Sequence, residues 1–353
     1  MRRRAWWAGG ALLAVCGAIL ASAPRGDAQS AGAGAKVVLH GAGATFPAPL
    51  YRRWIDAFSK ENPGVAIDYQ DVGSGEGIRR FLSGSIDFGA SDGALSDEQM
   101  ARVGAGARLV PATAGLVVLA YNVPGLRGTL RLSRDVYAGI FSRAITNWSD
   151  ARIRAINPDL ALPNRSITLV ARQDGSGTTF ALTNHLSAIS PVWRDQGPGI
   201  GYLVNWSGKA MLAKGNEGVA SKIKMSEGAI GYAEYGFARR LGLAMAALEN
   251  RAGRYVLPGE PSGRAALAAN AGQMPPNLRL FLPDPEGPES YPIVSFSWLL
   301  LYERYPDQGK GSALKRFVAW GLADGQQYGP DLGYIALPPE VVSLARAAVE
   351  RVQ

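Results

Sequence analysis

Cysteine and histidine are nearly absent from this chain of 353 residues, which holds one of the first and two of the second. The single thiol, Cys16, lies in the N-terminal apolar stretch, so nothing beyond it can form a disulfide or offer a thiolate nucleophile. A Ser-His-Asp triad would have to use His40 or His185, and none of the small-residue loops carries the G-x-S-x-G pattern. There is no His/Cys/carboxylate cluster at metal-binding spacing and no G-x-x-x-x-G-K-[ST] phosphate loop, so neither a metal ion nor another cofactor is expected. No long apolar run follows Ala23, and no dense Lys/Arg run interleaved with aromatics points to nucleic acid.

The first residues read as an export signal: Arg2, Arg3 and Arg4, then the apolar stretch Ala5 to Ala23, then Gly26-Asp27-Ala28. Cleavage is expected after Ala28. Cleavage after Ala23 would leave Pro24 first, and an uncleaved anchor is the other alternative. Lipid attachment at Cys16 is disfavoured because Val15 precedes it and apolar sequence continues beyond it. Loss of residues 1–28 removes four arginines and one aspartate, lowering the formal charge from +8 to +5, a modest bias toward anions. Residues 29–35, rich in Gly, Ala and Ser, are expected to be a flexible leader.

Strand and helix patterns then alternate, which predicts an α/β fold, and the length suggests two domains. Strands are predicted at 36–39, 65–72, 86–90, 116–122, 167–171, 229–232 and 293–302. The principal helices are predicted at 47–62, where Leu50, Trp54 and Phe58 recur at steps of four, and at 76–82, 133–141, 178–189, 215–225, 310–322 and 339–352. Ser96 and Gln99 form a capping-box pair. Residues 253–288, rich in Pro and Gly, read as irregular apart from a short helix at 262–270.

Three loops of small residues fall between a strand and a helix: Gly41-Ala42-Gly43-Ala44-Thr45-Phe46, Gly73-Ser74-Gly75-Glu76-Gly77 and Arg172-Gln173-Asp174-Gly175-Ser176-Gly177-Thr178. Each joins unpaired backbone N–H groups at a helix start to hydroxyl donors, the composition of an anion seat. Phe46 stands where a dinucleotide fingerprint needs its third glycine. In α/β sheets the carboxyl ends of the strands share an edge where ligands bind, so the three loops are expected to converge. Asp92 lies just past another strand, near the same edge. A carboxylate beside an anion makes sense if the anion carries a proton, as phosphate does at neutral pH and sulfate does not. A site built to pair with that hydroxyl rejects the analogue lacking it by about 10⁴ to 10⁵.

On the stretches Gly41 to Pro49, Asp87 to Asp92 with Leu95 to Glu98, Asp174 to Thr178 and Gly228 to Tyr232, the chain resembles the periplasmic phosphate-binding proteins of Pst-type ABC transporters, from about Leu39 to about Val349. The resemblance implies a two-lobed, type II-like periplasmic-binding-protein fold, each lobe a mixed sheet flanked by helices, with two hinge crossovers near 112–116 and 291–295. Lobe I would comprise 36–113 and 294–353, and lobe II 114–293.

Carried over by position, it implies that Thr45 and Phe46 supply hydroxyl and backbone donors, Ser74 another hydroxyl, and that Asp92 accepts the phosphate proton. Arg172 would contact the anion while tethered by Asp174, and Ser176, Gly177 and Thr178 would complete the donors. Glu76 departs from the Ser/Gly composition usual there; it is expected either to pair with Arg79 or Arg80 or to face the cleft and repel a dianion. The function implied is capture of inorganic phosphate by an exported, monomeric receptor and delivery to a membrane permease, with no catalytic residue. The alternatives are a receptor for arsenate, a secreted phosphatase-like enzyme using Ser74 or Ser176, and an adhesion or signalling module.

Overall fold

The computed structural model describes residues 36–206, 208 and 210–353; the signal, the leader and Cys16 lie outside the described residues. Among the described residues twelve strands are formed: β1 (Val37–Gly43), β2 (Val65–Gln70), β3 (Phe88–Ser91), β4 (Ala107–Asn122), β5 (Arg131–Leu132), β6 (Thr168–Arg172), β7 (Met211–Ala213), β8 (Ala229–Glu234), β9 (Ala244–Met245), β10 (Ala247–Glu249), β11 (Tyr255–Val256) and β12 (Val294–Tyr302). The principal sheet runs β2-β1-β3-β12-β4-β8-β6-β7, with β9 also pairing β4; β11-β10-β5 form a small second sheet.

The directions of these strands place the site. β1, β2 and β3 are mutually parallel and form one wing; β8, β6 and β7 form another. Between them β12 and β4 are antiparallel to their neighbours, so the two wings point in opposite senses. β4 pairs with β12 over Ala107–Leu116 and with β8 over Val117–Asn122. The wings are therefore staggered along β4, and their carboxyl ends face each other near the level where it changes partner. In an α/β sheet, loops at those ends carry ligand sites. Here two such edges meet.

Burial follows from the sequence pattern. β4 and β12 are buried along almost their whole length, as central strands covered on both faces must be. The helix Ala48–Glu61 buries Leu50, Trp54 and Phe58, the predicted stripe, and Trp54 Nε1 donates to the Gly325 carbonyl at 2.7 Å. Ser96 and Gln99 form the expected capping box. Several boundaries differ from the sequence expectation. β1 runs on through His40–Gly43, and β4 begins at Ala107 rather than at 116. The helix predicted from Glu76 begins at Ser74. The stretch from 190 to 257 holds the helices Pro191–Gln196 and Tyr235–Arg240 and the strands β7 and β9 to β11, none of which the periodicity predicts.

Candidate anion site

Every loop singled out in the sequence leaves the carboxyl end of a strand in one of the two facing wings. Thr45 and Phe46 follow β1, Ser74 opens the helix Ser74–Leu82 after β2, and Asp92 directly follows β3. From the other wing, Arg172 ends β6 and Ser176 caps the helix Gly177–Ile189, accepting the Thr179 N–H at 3.1 Å. Thr45, Phe46, Ser74, Asp92, Arg172, Ser176 and Thr178 are all buried.

The loops touch. Gly75 N–H donates to the Gly175 carbonyl at 2.9 Å. A Cβ on Gly73, whose φ is +97°, would fall 2.4 Å from Asp174 Oδ2; a side chain there is excluded by both backbone and space. Gly177 has no such torsional demand, but its Cβ would meet Asp92 Cβ and Ser74 Oγ, each at 2.6 Å. These glycines let opposing loops approach closely.

Arg172 is held as the sequence reading expects. Its Nε donates to Asp174 Oδ1 at 2.8 Å and Nη2 to Oδ2, a bidentate pair. Burial would raise the Asp174 pKa, but the Arg172 pair and the Gly215 N–H outweigh it and hold the carboxyl below its usual range. The Arg172 Nη1 reaches Thr178 Oγ1 at 3.4 Å. Asp92 has the opposite character. Its backbone N–H donates to Ser74 Oγ at 3.3 Å and its Oδ1 accepts from Ser297 Oγ at 2.8 Å. Burial raises its pKa to about 7, with Ser297, Arg172 and Ser74 pulling the other way. A buried acceptor thus stands opposite a tethered cation, among hydroxyl groups.

Phe46 follows Thr45, and its carbonyl takes the Tyr334 hydroxyl at 2.6 Å. Its ring packs against Gly115, where a Cβ would lie 2.8 Å from Cζ. Glu76 accepts from Arg79 Nε and Nη2 and from Arg80 Nε, each at 2.7 Å, and these bonds hold its carboxyl at about 2. Of the two expectations for Glu76, this is the helix ion pair.

Two residues of the site escape the sequence reading. Asn216 is fully buried and its Nδ2 donates to Thr45 Oγ1 at 3.0 Å and to Thr178 Oγ1 at 3.1 Å, linking the loops of the two wings. The signal for it was present: Gly215-Asn216 follows β7 and opens the helix Gly215–Met225, the same strand, glycine and helix-start pattern as the other loops. Ser297 is the other, a hydroxyl that breaks the apolar run of β12 next to a register shift.

His40 is exposed, its Nδ1 3.9 Å from Asp68 Oδ2. His185 is buried, with Nε2 on the Tyr137 hydroxyl at 2.8 Å and Nδ1 on the Pro283 carbonyl at 2.6 Å; burial depresses its pKa to about 4 and keeps it neutral. No group of three or more metal-ligating side chains occurs among the described residues.

A family model described as a PBP superfamily domain matches residues 28–324. The phosphate-binding protein PstS of Haemophilus influenzae is 38% identical over 313 residues, covering 87% of this chain and 91% of that protein. The phosphate-binding protein PstS of Xylella fastidiosa is 34% identical over 361 residues and covers 98% of each chain. Among solved structures, the phosphate-binding protein of Stenotrophomonas maltophilia superposes with a TM-score of 0.71 at 20% identity, covering 88% of this chain and 93% of that one, a likeness of fold. The order of the small-residue loops, the facing wings and the extent of these matches agree: the chain belongs to the PBP superfamily and, within it, to the PstS family of phosphate-binding proteins.

Proposed function

We propose that this protein binds inorganic phosphate between the two wings and hands it to the permease of an ABC transporter, working in the periplasm after export, as a monomer and without covalent chemistry. The observation that carries the reading is that Asp92 and the tethered Arg172, both buried, stand at the facing ends of the two wings, near enough for the charge of Arg172 to act on the Asp92 carboxyl. A buried carboxylate among anion donors is costly unless the ligand brings a proton to it, and phosphate does. Arg172 supplies attraction, while its bidentate tie to Asp174 offsets its net charge, so that neutral dipoles do much of the holding. Thr45, Phe46, Ser74, Ser176, Gly177 and Thr178 are the proposed donors. His185 is engaged by the Tyr137 hydroxyl and the Pro283 carbonyl, which speaks against its serving as the base of a phosphatase-like site.

Two lobes, 36–113 with 294–353 and 114–293, are proposed to close over the ligand about β4 and β12. The change of β4's partner between Leu116 and Val117 supports a hinge there.

Calorimetric titration of the wild type and Asp92→Asn with phosphate, arsenate and sulfate tests the function. The wild type is expected to bind phosphate tightly and sulfate negligibly, and the variant to discriminate less. Arsenate, also protonated at neutral pH, is expected to bind as well. Equal binding of sulfate and phosphate by the wild type overturns the role of Asp92.

A further inference from the structure

We infer that Asn216 is a positioning residue that fixes the Thr45 and Thr178 hydroxyls as donors to the ligand; the inference rests on the phosphate reading above. A hydroxyl oxygen has two lone pairs and one proton. Thr45 Oγ1 receives the Asn216 backbone N–H at 3.3 Å and its Nδ2 at 3.0 Å. Thr178 Oγ1 receives Asn216 Nδ2 at 3.1 Å and Arg172 Nη1 at 3.4 Å. Both oxygens are thereby supplied with two N–H donors each. What each hydroxyl has left is its own proton, which must go to a further acceptor.

The amide cannot serve equally well when flipped. Asn216 Oδ1 accepts the Glu234 N–H at 2.9 Å, so rotation would set NH₂ against N–H and turn the amide oxygen toward both threonines. In that orientation the oxygen would compete with the anion for the two hydroxyl protons. The end of β8 therefore sets the amide, and the amide sets the polarity of one hydroxyl from each wing. Asn216 is fully buried, which keeps water from rearranging the pattern. Asp92 then remains as the acceptor for the ligand's proton, so the site sorts the oxygen atoms of the anion: bare oxygens toward the threonines, the protonated one toward Asp92.

The test is a thermodynamic cycle on phosphate affinity, measured by calorimetry, joining Asn216→Ala with the double variant Thr45→Val/Thr178→Val. In the wild-type background Asn216→Ala is expected to weaken phosphate binding about tenfold, from hydrogen bonds of ordinary net strength. In the valine background, with no hydroxyls to orient, the same substitution is expected to cost less than about twofold. Equal losses in both backgrounds would mark Asn216 as a merely structural residue and sink the inference. Neutron diffraction of the wild-type protein with phosphate gives a reading that depends on no variant folding: both Asn216 amide protons should lie on the threonine oxygens, and both threonine protons on the anion. The reverse orientation overturns the inference. Failure of the wild type to bind phosphate removes the underlying reading, whereas phosphate binding with additive losses removes this inference alone.

Discussion

A single carboxyl, Asp92, carries the proposed choice of ligand, and its burial makes that proposal dependent on pH. With its pKa raised to about 7, Asp92 gains a proton as pH falls below that value and ceases to be a pure acceptor. Phosphate-over-sulfate discrimination is therefore expected to be largest at pH 8 and to shrink toward pH 5. Asp92→Asn, which has nothing to titrate there, should show little of this change; the same slope in the variant would exclude Asp92 as its source. Gly177 presents a steric constraint instead. The Cβ introduced by Gly177→Ala would press on Asp92 and Ser74, and overpacking of this kind costs about 1–3 kcal/mol. With that cost felt on binding, phosphate affinity is expected to fall about five- to 150-fold. Unchanged affinity by calorimetry would mean that the two loops are not held at this distance when the ligand is bound.

The elements were legible where periodicity or capping chemistry is local, and illegible where a distant partner decides. The Leu50, Trp54 and Phe58 stripe and the Ser96–Gln99 box are local signals. The segments His40–Gly43 and Ala107–Gly115 are rich in Gly and Ala, give no alternating pattern, and become strand because neighbours in the sheet take their backbone groups. Pro111 sits in β4 opposite Trp298, beside the register shift, a site where a ladder tolerates proline. The two- and three-residue strands β7 and β9 to β11 are too short to show a period. In the helix Ser74–Leu82, Glu76 is held by residues three and four positions on, and its depressed pKa of about 2 means the contribution is present above the ordinary carboxyl pKa and lost as pH falls through about 2. Glu76→Gln is accordingly expected to leave phosphate affinity parallel to the wild type from pH 5 to 9. Diverging curves would place the carboxylate in the cleft.

For the whole molecule, a second buried carboxyl bears on stability: Glu234, at the end of β8 opposite Val117, where β4 changes partner. Its Oε1 accepts the Gly236 N–H at 2.8 Å, while Oε2 has no hydrogen-bond partner among the described residues. Burial raises its pKa to about 8, against smaller opposing effects of the Gly236 N–H and Arg240. The folded chain therefore keeps a proton that the unfolded chain releases, from about pH 4.3 up to about pH 8. Stability is expected to fall as pH rises through that window and to level off above it. Asp92 acts with the same sign up to about pH 7, so Glu234→Gln should reduce the slope without removing it, by on the order of a few kcal/mol between pH 5 and 9. Urea unfolding at pH 5, 7 and 9 measures this; an identical loss in wild type and variant would show that Glu234 is ionised in the fold.

The amino-acid sequence by itself determined the α/β alternation, the near-absence of thiol and histidine chemistry, the small-residue loops and the family to which they belong, because each of these is written in neighbouring residues. Tertiary structure alone decided that the two wings run in opposite senses, so that loops far apart in the chain meet at one level of β4. It also brought Ser297 to Asp92 and Asn216 between Thr45 and Thr178, and turned Glu76 toward its own helix. Strand direction and register depend on partners supplied from elsewhere in the chain, and a hydroxyl or an amide acquires its role as donor or acceptor only from the groups packed around it.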